Sequence, residues 1–153
     1  MIIKNGIKLA VAGAVALSAV SFVSTDASAT ELRLAYFMGS KHPMNKFVFT
    51  PFGKKLAEVS SGKLTVKQFP GGALNSSPPK QYSILIKGVA DVAFALPGYT
   101  SQLFPISNVV TIPGVANSAL DGTKKLANAM DLIRPEIKAK ILAMWANQPP
   151  ILL

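Results

Sequence analysis

The chain has 153 residues, a formal net charge of +9, no cysteine, and an apolar half that is not all core. Without cysteine it has no disulfide framework and no thiol nucleophile, and its basic residues are scattered rather than gathered into the dense run of a nucleic-acid tail. The lysines Lys41, Lys46, Lys54, Lys55, Lys63, Lys67, Lys80 and Lys87 therefore read as solvated surface, and no nucleic-acid partner is expected.

The N-terminus has the layout of a secretory leader. Lys4 and Lys8 precede an apolar run from Leu9 through Val23, which closes on Ala27-Ser28-Ala29, a small-X-small cleavage signal. An uncleaved anchor is the competing reading, since such a run is almost long enough to span a bilayer. Cleavage after Ala29 is expected to leave one modest domain of 124 residues with a charge of +8, delivered to the periplasm.

Glu31–Phe37 begins by alternating and ends apolar, which predicts a first strand buried at its far end. Apolar residues at helical spacing follow from Met44 to Val59. Pro51 either kinks a continuous helix there or opens a second helical segment capped by Thr50. Lys63–Phe69 alternates as a half-covered strand, broken by Pro70-Gly71-Gly72. Ser77 with Pro78 opens the next helix, which runs to Lys87 and stops at Gly88. Ala90–Leu96 is almost wholly apolar, as a strand covered on both faces would be, and ends on the loop Pro97-Gly98-Tyr99-Thr100. Asn117 or Ser118 caps a later helix, Pro135 divides it from a helical piece through Lys140, and Ile141–Ala146 reads as another buried strand. The β-α-β-α-β order with short connections predicts an α/β fold built on a largely parallel sheet flanked by helices.

His42 is the single histidine, and the acidic residues stand far apart in sequence, so no catalytic pair, metal set or phosphate loop emerges. Nothing points to an enzyme or to a cofactor. The better signal is convergence. Ligand crevices in open α/β sheets lie beyond the carboxyl ends of the strands. Phe37 and Met38, Leu96 to Tyr99 (with Pro97 and Gly98), and Trp145 to Asn147 would share that edge and form the apolar wall of a small-molecule pocket. For Phe37 and Met38 ordinary core is the competing reading, and for His42 a local capping role.

In order along the chain come Leu34-Ala35-Tyr36-Phe37, His42-Pro43, Pro51-Phe52, Gly62-Lys63 and Phe69-Pro70-Gly71-Gly72-Ala73-Leu74. Gly88-Val89-Ala90-Asp91, Leu96-Pro97-Gly98-Tyr99-Thr100, Phe104-Pro105 and Trp145-Ala146-Asn147-Gln148-Pro149 follow. Together these resemble the N-terminal part of the DctP-type solute-binding proteins of TRAP (tripartite ATP-independent periplasmic) transporters. The resemblance implies a two-lobed periplasmic binding protein that closes on an organic anion, often a carboxylate, and delivers it to membrane permease subunits. With residues 1–29 read as leader, it implies 30–147 as the first lobe and 148–153 as the start of the passage to a second lobe. The arginine that grips the ligand carboxylate in this family belongs to the second lobe, and neither Arg33 nor Arg134 matches it. The expectation is thus of a truncated first lobe with the second missing. A free-standing exported basic protein that binds an anionic surface or polymer is the alternative.

Overall fold

The computed structural model describes residues 29–147, so the expected leader apart from Ala29, and the stretch 148–153, lie outside the described residues. Three parallel strands form one sheet: β1 (Thr30–Ala35), β2 (Leu64–Phe69) and β3 (Val92–Ala93), in the order β2-β1-β3. The central strand is the best buried, with Leu34, Ala35 and Tyr36 at 2 %, 1 % and 0 % exposure.

The pleat of β1 sets the two layers, because successive side chains of a strand point to opposite faces. Leu34 and Tyr36 pack with Phe49, and with Met44, Phe52, Val66 and Val92 around them. That face is covered by α1 (Thr50–Val59) and the π-helical turn Asn45–Phe49 ahead of it. Ala35 packs on the other face with Ile84, Ala90 and Leu74, beneath α2 (Gln81–Ile86). The expected β-α-β-α-β order is therefore the observed one.

Several local expectations hold. Gly88 takes φ +71° one residue past the end of α2, after Lys87, the left-handed conformation that glycine adopts without strain. Ser118 caps α3 (Ala119–Asn128) by accepting the Asp121 N–H at 3.1 Å, while Asp121 Oδ2 accepts the Asn117 N–H at 3.0 Å. A short α4 (Met130–Ile133) follows.

Others need correction. Thr50 is itself helical (φ −67°, ψ −48°) and caps nothing. The chain winds through Pro51 without a break because the preceding turn widens, its last N–H running from Thr50 to the Asn45 carbonyl, so the proline falls in the first turn of α1. Ser77 has the extended backbone of a cap but makes no side-chain cap bond, and the turn it opens is 3-10 over Pro78–Lys80 before α2 begins. The expected strand Ala90–Leu96 pairs only at Val92–Ala93, with Asp91 N–H and Phe94 N–H reaching the Arg33 and Ala35 carbonyls at 2.9 Å each. β1 ends there, so later residues have no ladder to join. Ile141–Ala146 forms no strand at all, since the Ala146 N–H goes to Thr123 Oγ1 at 3.0 Å rather than to a neighbouring strand. The helical piece expected to reach Lys140 is a 3-10 turn over Arg134–Glu136, after which Lys138 N–H bonds the Tyr82 hydroxyl at 2.8 Å. Among the described residues no helix is long and apolar enough to cross a membrane.

Candidate ligand cleft

Beyond the carboxyl end of β1 the chain is clasped by the Pro70-Gly71-Gly72 turn. Gly72 N–H donates to the Tyr36 carbonyl at 3.0 Å and Gly71 N–H to the Met38 carbonyl at 2.8 Å, which fixes the backbone on either side of Phe37. Glycine is required at Gly72. Its φ is +72°, and a Cβ would stand 2.7 Å from Ser76 Cα.

A polar network anchors the same region from the α1 side. Gln68 Oε1 accepts the Tyr36 hydroxyl at 2.8 Å and Asn45 Nδ2 at 2.8 Å, while Gln68 Nε2 donates to Thr50 Oγ1 at 3.1 Å. Asn45 Nδ2 also donates to the Tyr36 hydroxyl oxygen at 2.6 Å. The fully buried tyrosine is thus satisfied, and the π-helical turn is tied to β2.

Four aromatic rings meet above this base. Phe37 lies 5.9 Å from Phe94 and 6.0 Å from Tyr99, and Phe94 is stacked on Trp145 at 5.7 Å with 29° between planes. Phe94 also meets Phe49 of the core at 6.1 Å, which roots the group in the lobe. Tyr99 and Trp145 remain 52 % and 39 % exposed, so the outer faces of the wall are open. The structure therefore brings Phe37, Tyr99 and Trp145 together, as the sequence suggests. The ring that joins them is Phe94, within the run expected to be a buried strand. The alternation Val92–Phe94, on the same face as Leu34 and Tyr36, was the signal that could have found it.

The remaining candidates are placed as follows. Met38 packs against the Leu34–Tyr36–Phe49 core. Leu96 and Pro97 are half-buried where the chain enters a pair of 3-10 turns (Pro97–Leu103, kinked at Thr100), the first of which presents Tyr99. Gly98 is exposed, and a Cβ there would come within 3.6 Å of Asn108 Oδ1. His42 is exposed, and its Nδ1 accepts the Met44 N–H at 3.2 Å, a contact local to the helix entry. Asn147 is exposed at the end of the described residues.

The charged groups near the sheet are committed to each other. Arg33 Nε and Nη2 donate to the two Asp91 carboxylate oxygens at 2.9 and 3.0 Å, and Nη2 also reaches the Gly88 carbonyl at 2.8 Å. The Arg33 N–H gives Asp91 a further bond at 2.8 Å. Hydrogen bonds donated by Arg33 hold the Asp91 carboxyl below the usual carboxylate range, and the carboxylate that accepts them raises the guanidinium. This pairing gives Gly88-Val89-Ala90-Asp91 a physical role, the seating of β3 on β1. Among the described residues no three His, Asp or Glu side chains gather as metal ligands would.

No protein-family model matches the chain. It is 23 % identical over 145 residues to the outer membrane transporter protein TsaT of Comamonas testosteroni, covering 90 % of this chain and 41 % of that protein. A TRAP solute-binding protein from an unidentified marine microbe, specific for aromatic acids and solved with 3-hydroxybenzoate, superposes with a TM-score of 0.71 at 24 % identity. The match covers 76 % of this chain and 37 % of that one. A TRAP solute-binding protein of Rhodoferax ferrireducens, with copurified benzoate, gives 0.64 at 23 % identity over 76 % of this chain and 37 % of its own. One of Bordetella bronchiseptica, with bound (R)- and (S)-mandelate, gives 0.65 at 20 % identity over 78 % and 39 %. The chain thus spans about two fifths of the length of these relatives. Its three parallel strands and flanking helices have the fold of the first lobe of TRAP solute-binding proteins.

Proposed function

We propose that this chain supplies one lobe of an exported TRAP-type solute-binding protein that captures a small aromatic carboxylate for uptake through membrane permease subunits. The observation that carries the reading is the half-open wall of Phe37, Phe94, Tyr99 and Trp145 beyond the carboxyl ends of β1 and β3. Rings spaced at these distances leave a face and several edges on which one more ring can stack or abut. The neighbours solved with benzoate, 3-hydroxybenzoate and mandelate hold acids of that shape. In this reading Met38, His42, Leu96, Pro97, Gly98 and Asn147 complete the near wall. Arg33 is engaged by Asp91, and the resemblance to TRAP solute-binding proteins implies that a guanidinium of a second lobe grips the carboxylate from the other side of the cleft. Residues 1–29 act as the leader to the periplasm, residues 30–147 as the lobe, and residues 148–153 begin the passage to its partner.

The test joins residues 30–147 to the second lobe of the Bordetella relative and titrates benzoate, mandelate and succinate by calorimetry. The aromatic acids should bind saturably and succinate should not. An aromatic pair is worth about 0.5–1.5 kcal/mol beyond its buried area, so Tyr99→Ala or Trp145→Ala should each weaken binding about tenfold. Equal affinity for aromatic and aliphatic acids, or indifference to both substitutions, sinks the proposal. Binding that instead collapses with added salt and ignores Tyr99 favours an anionic-surface protein.

A further inference from the structure

We infer that Gly122 and Thr123, in the middle of α3, are the seat that positions Trp145 in the cleft wall. Glycine is a poorer helix former than alanine, so its use inside a helix calls for a local reason. Gly122 is buried, and a Cβ on it would stand 2.7 Å from the Ala146 Cβ and 3.4 Å from the Ala116 Cβ. The first distance is a clash, and the backbone carrying Ala146 would have to move to relieve it. The side chain of the next residue then holds that backbone in register. Thr123 Oγ1 donates its proton to the Ala119 carbonyl at 2.7 Å and so turns a lone pair toward the Ala146 N–H, which it accepts at 3.0 Å.

Residues 137–147 have no regular secondary structure, so no strand ladder or helix register fixes where this segment lies. The two contacts at α3 fall on the residue next to Trp145. They set the distance and tilt at which its ring stacks on Phe94, 5.7 Å and 29°. Gly122 and Thr123 are thus positioning residues that act through Ala146. Calling the positioned ring a ligand wall rests on the proposed function, whereas the seat itself does not.

Trp145 is the sole tryptophan of the sequence, so the full chain reports its own geometry by fluorescence without any ligand. Gly122→Ala should red-shift the emission by several nanometres and raise its quenching by acrylamide, as the ring leaves Phe94. Combining it with Ala146→Gly removes the colliding methyl and should return both signals to the wild-type values. Thr123→Val should reproduce the shift and Thr123→Ser should not. An unchanged emission in Gly122→Ala, or a double variant that fails to recover it, overturns the inference. Should Gly122→Ala not fold, the double variant must still fold with wild-type emission, and its failure to do so also counts against the seat. If the emission responds as expected while acid binding by the two-lobed chimera ignores the same substitutions, the seat stands and the aromatic-cleft reading falls.

Discussion

Replacing Phe94 by alanine tests whether the wall is rooted in the core or merely lies on it. Phe94 meets three rings, Phe37 at 5.9 Å, Phe49 at 6.1 Å and Trp145 at 5.7 Å, and is half-buried. A fully buried phenylalanine truncated to alanine costs about 3–5 kcal/mol. Partial exposure places Phe94 at the low end, about 3 kcal/mol, a large share of a domain stability of about 5–15 kcal/mol. Tyr99 is 52 % exposed and, among the described residues, pairs with no ring but Phe37, so Tyr99→Ala should cost no more than about 1 kcal/mol. Urea unfolding followed by far-UV circular dichroism measures both, and Trp145 emission in the absence of urea measures the lost stack. The two variants should separate cleanly, with Phe94→Ala destabilised and red-shifted and Tyr99→Ala nearly as stable as the parent. A loss below about 1 kcal/mol for Phe94→Ala, with unchanged emission, would refute the idea that Phe94 ties the wall to the lobe.

Two further outcomes follow from polar groups. Gln68→Leu should cost about 2 kcal/mol in urea unfolding, because it leaves the buried Tyr36 hydroxyl without its acceptor, and adding Tyr36→Phe should cost less than the sum of the single changes; strict additivity would show that the network does not act as a unit. The carboxyls of Asp91, held by Arg33, and Asp121, held by Lys125 and the Asn117 N–H, both lie below the usual range. Burial pushes Glu136 up, but the Ser107 hydroxyl and the Ile106 and Ser107 N–H groups outweigh it and lower the carboxyl as well. A lowered folded-state value gives stability that is present above the unfolded carboxylate pKa and lost as pH falls through the folded one. The urea midpoint should therefore hold from neutrality to about pH 5 and fall below about pH 4, less steeply in Asp91→Asn; a midpoint that rises on acidification would contradict the sign.

Much of this was legible in the sequence because it rests on short-range rules. Alternation in Glu31–Phe37 and Lys63–Phe69 marks β1 and β2, Gly88 stops α2, and Ser118 with Asp121 starts α3. What was not legible depends on neighbours. Ile141–Ala146 has the composition of a buried strand, yet a strand exists only where another offers its backbone, and here the Ala146 N–H finds Thr123 instead. The same limit shortens the run expected over Ala90–Leu96, since β1 has already ended beside Phe94. Thr50 reads as a cap because threonine before proline commonly is one, and only the π-helical turn, a departure with no pattern of its own, frees its hydroxyl for Gln68. Gly122 has no sequence pattern that would announce its role, which rests on the approach of Ala146 from 24 residues away.

The pleat also explains why the wall stands at the sheet's end and nowhere else. Partners in a parallel register share a face, so Leu34 and Val92 face the same way, as do Tyr36 and Phe94 in continuation, and all four belong to the core under α1. Phe37 follows Tyr36 directly and by the same alternation should point away, toward the α2 side. Two residues of opposite parity cannot touch through a sheet. Phe37 and Phe94 nonetheless lie 5.9 Å apart, because the Phe94 N–H makes the last bond to β1, at the Ala35 carbonyl, and Phe37 stands beyond it, where the alternation no longer binds the chain. Gly71 and Gly72 make that departure stable by taking the Met38 and Tyr36 carbonyls that no further strand residue can reach. A ligand in contact with Phe37 and Trp145 together must then sit over the strand ends, and substitutions on either covered face of the sheet should alter stability before they alter selectivity.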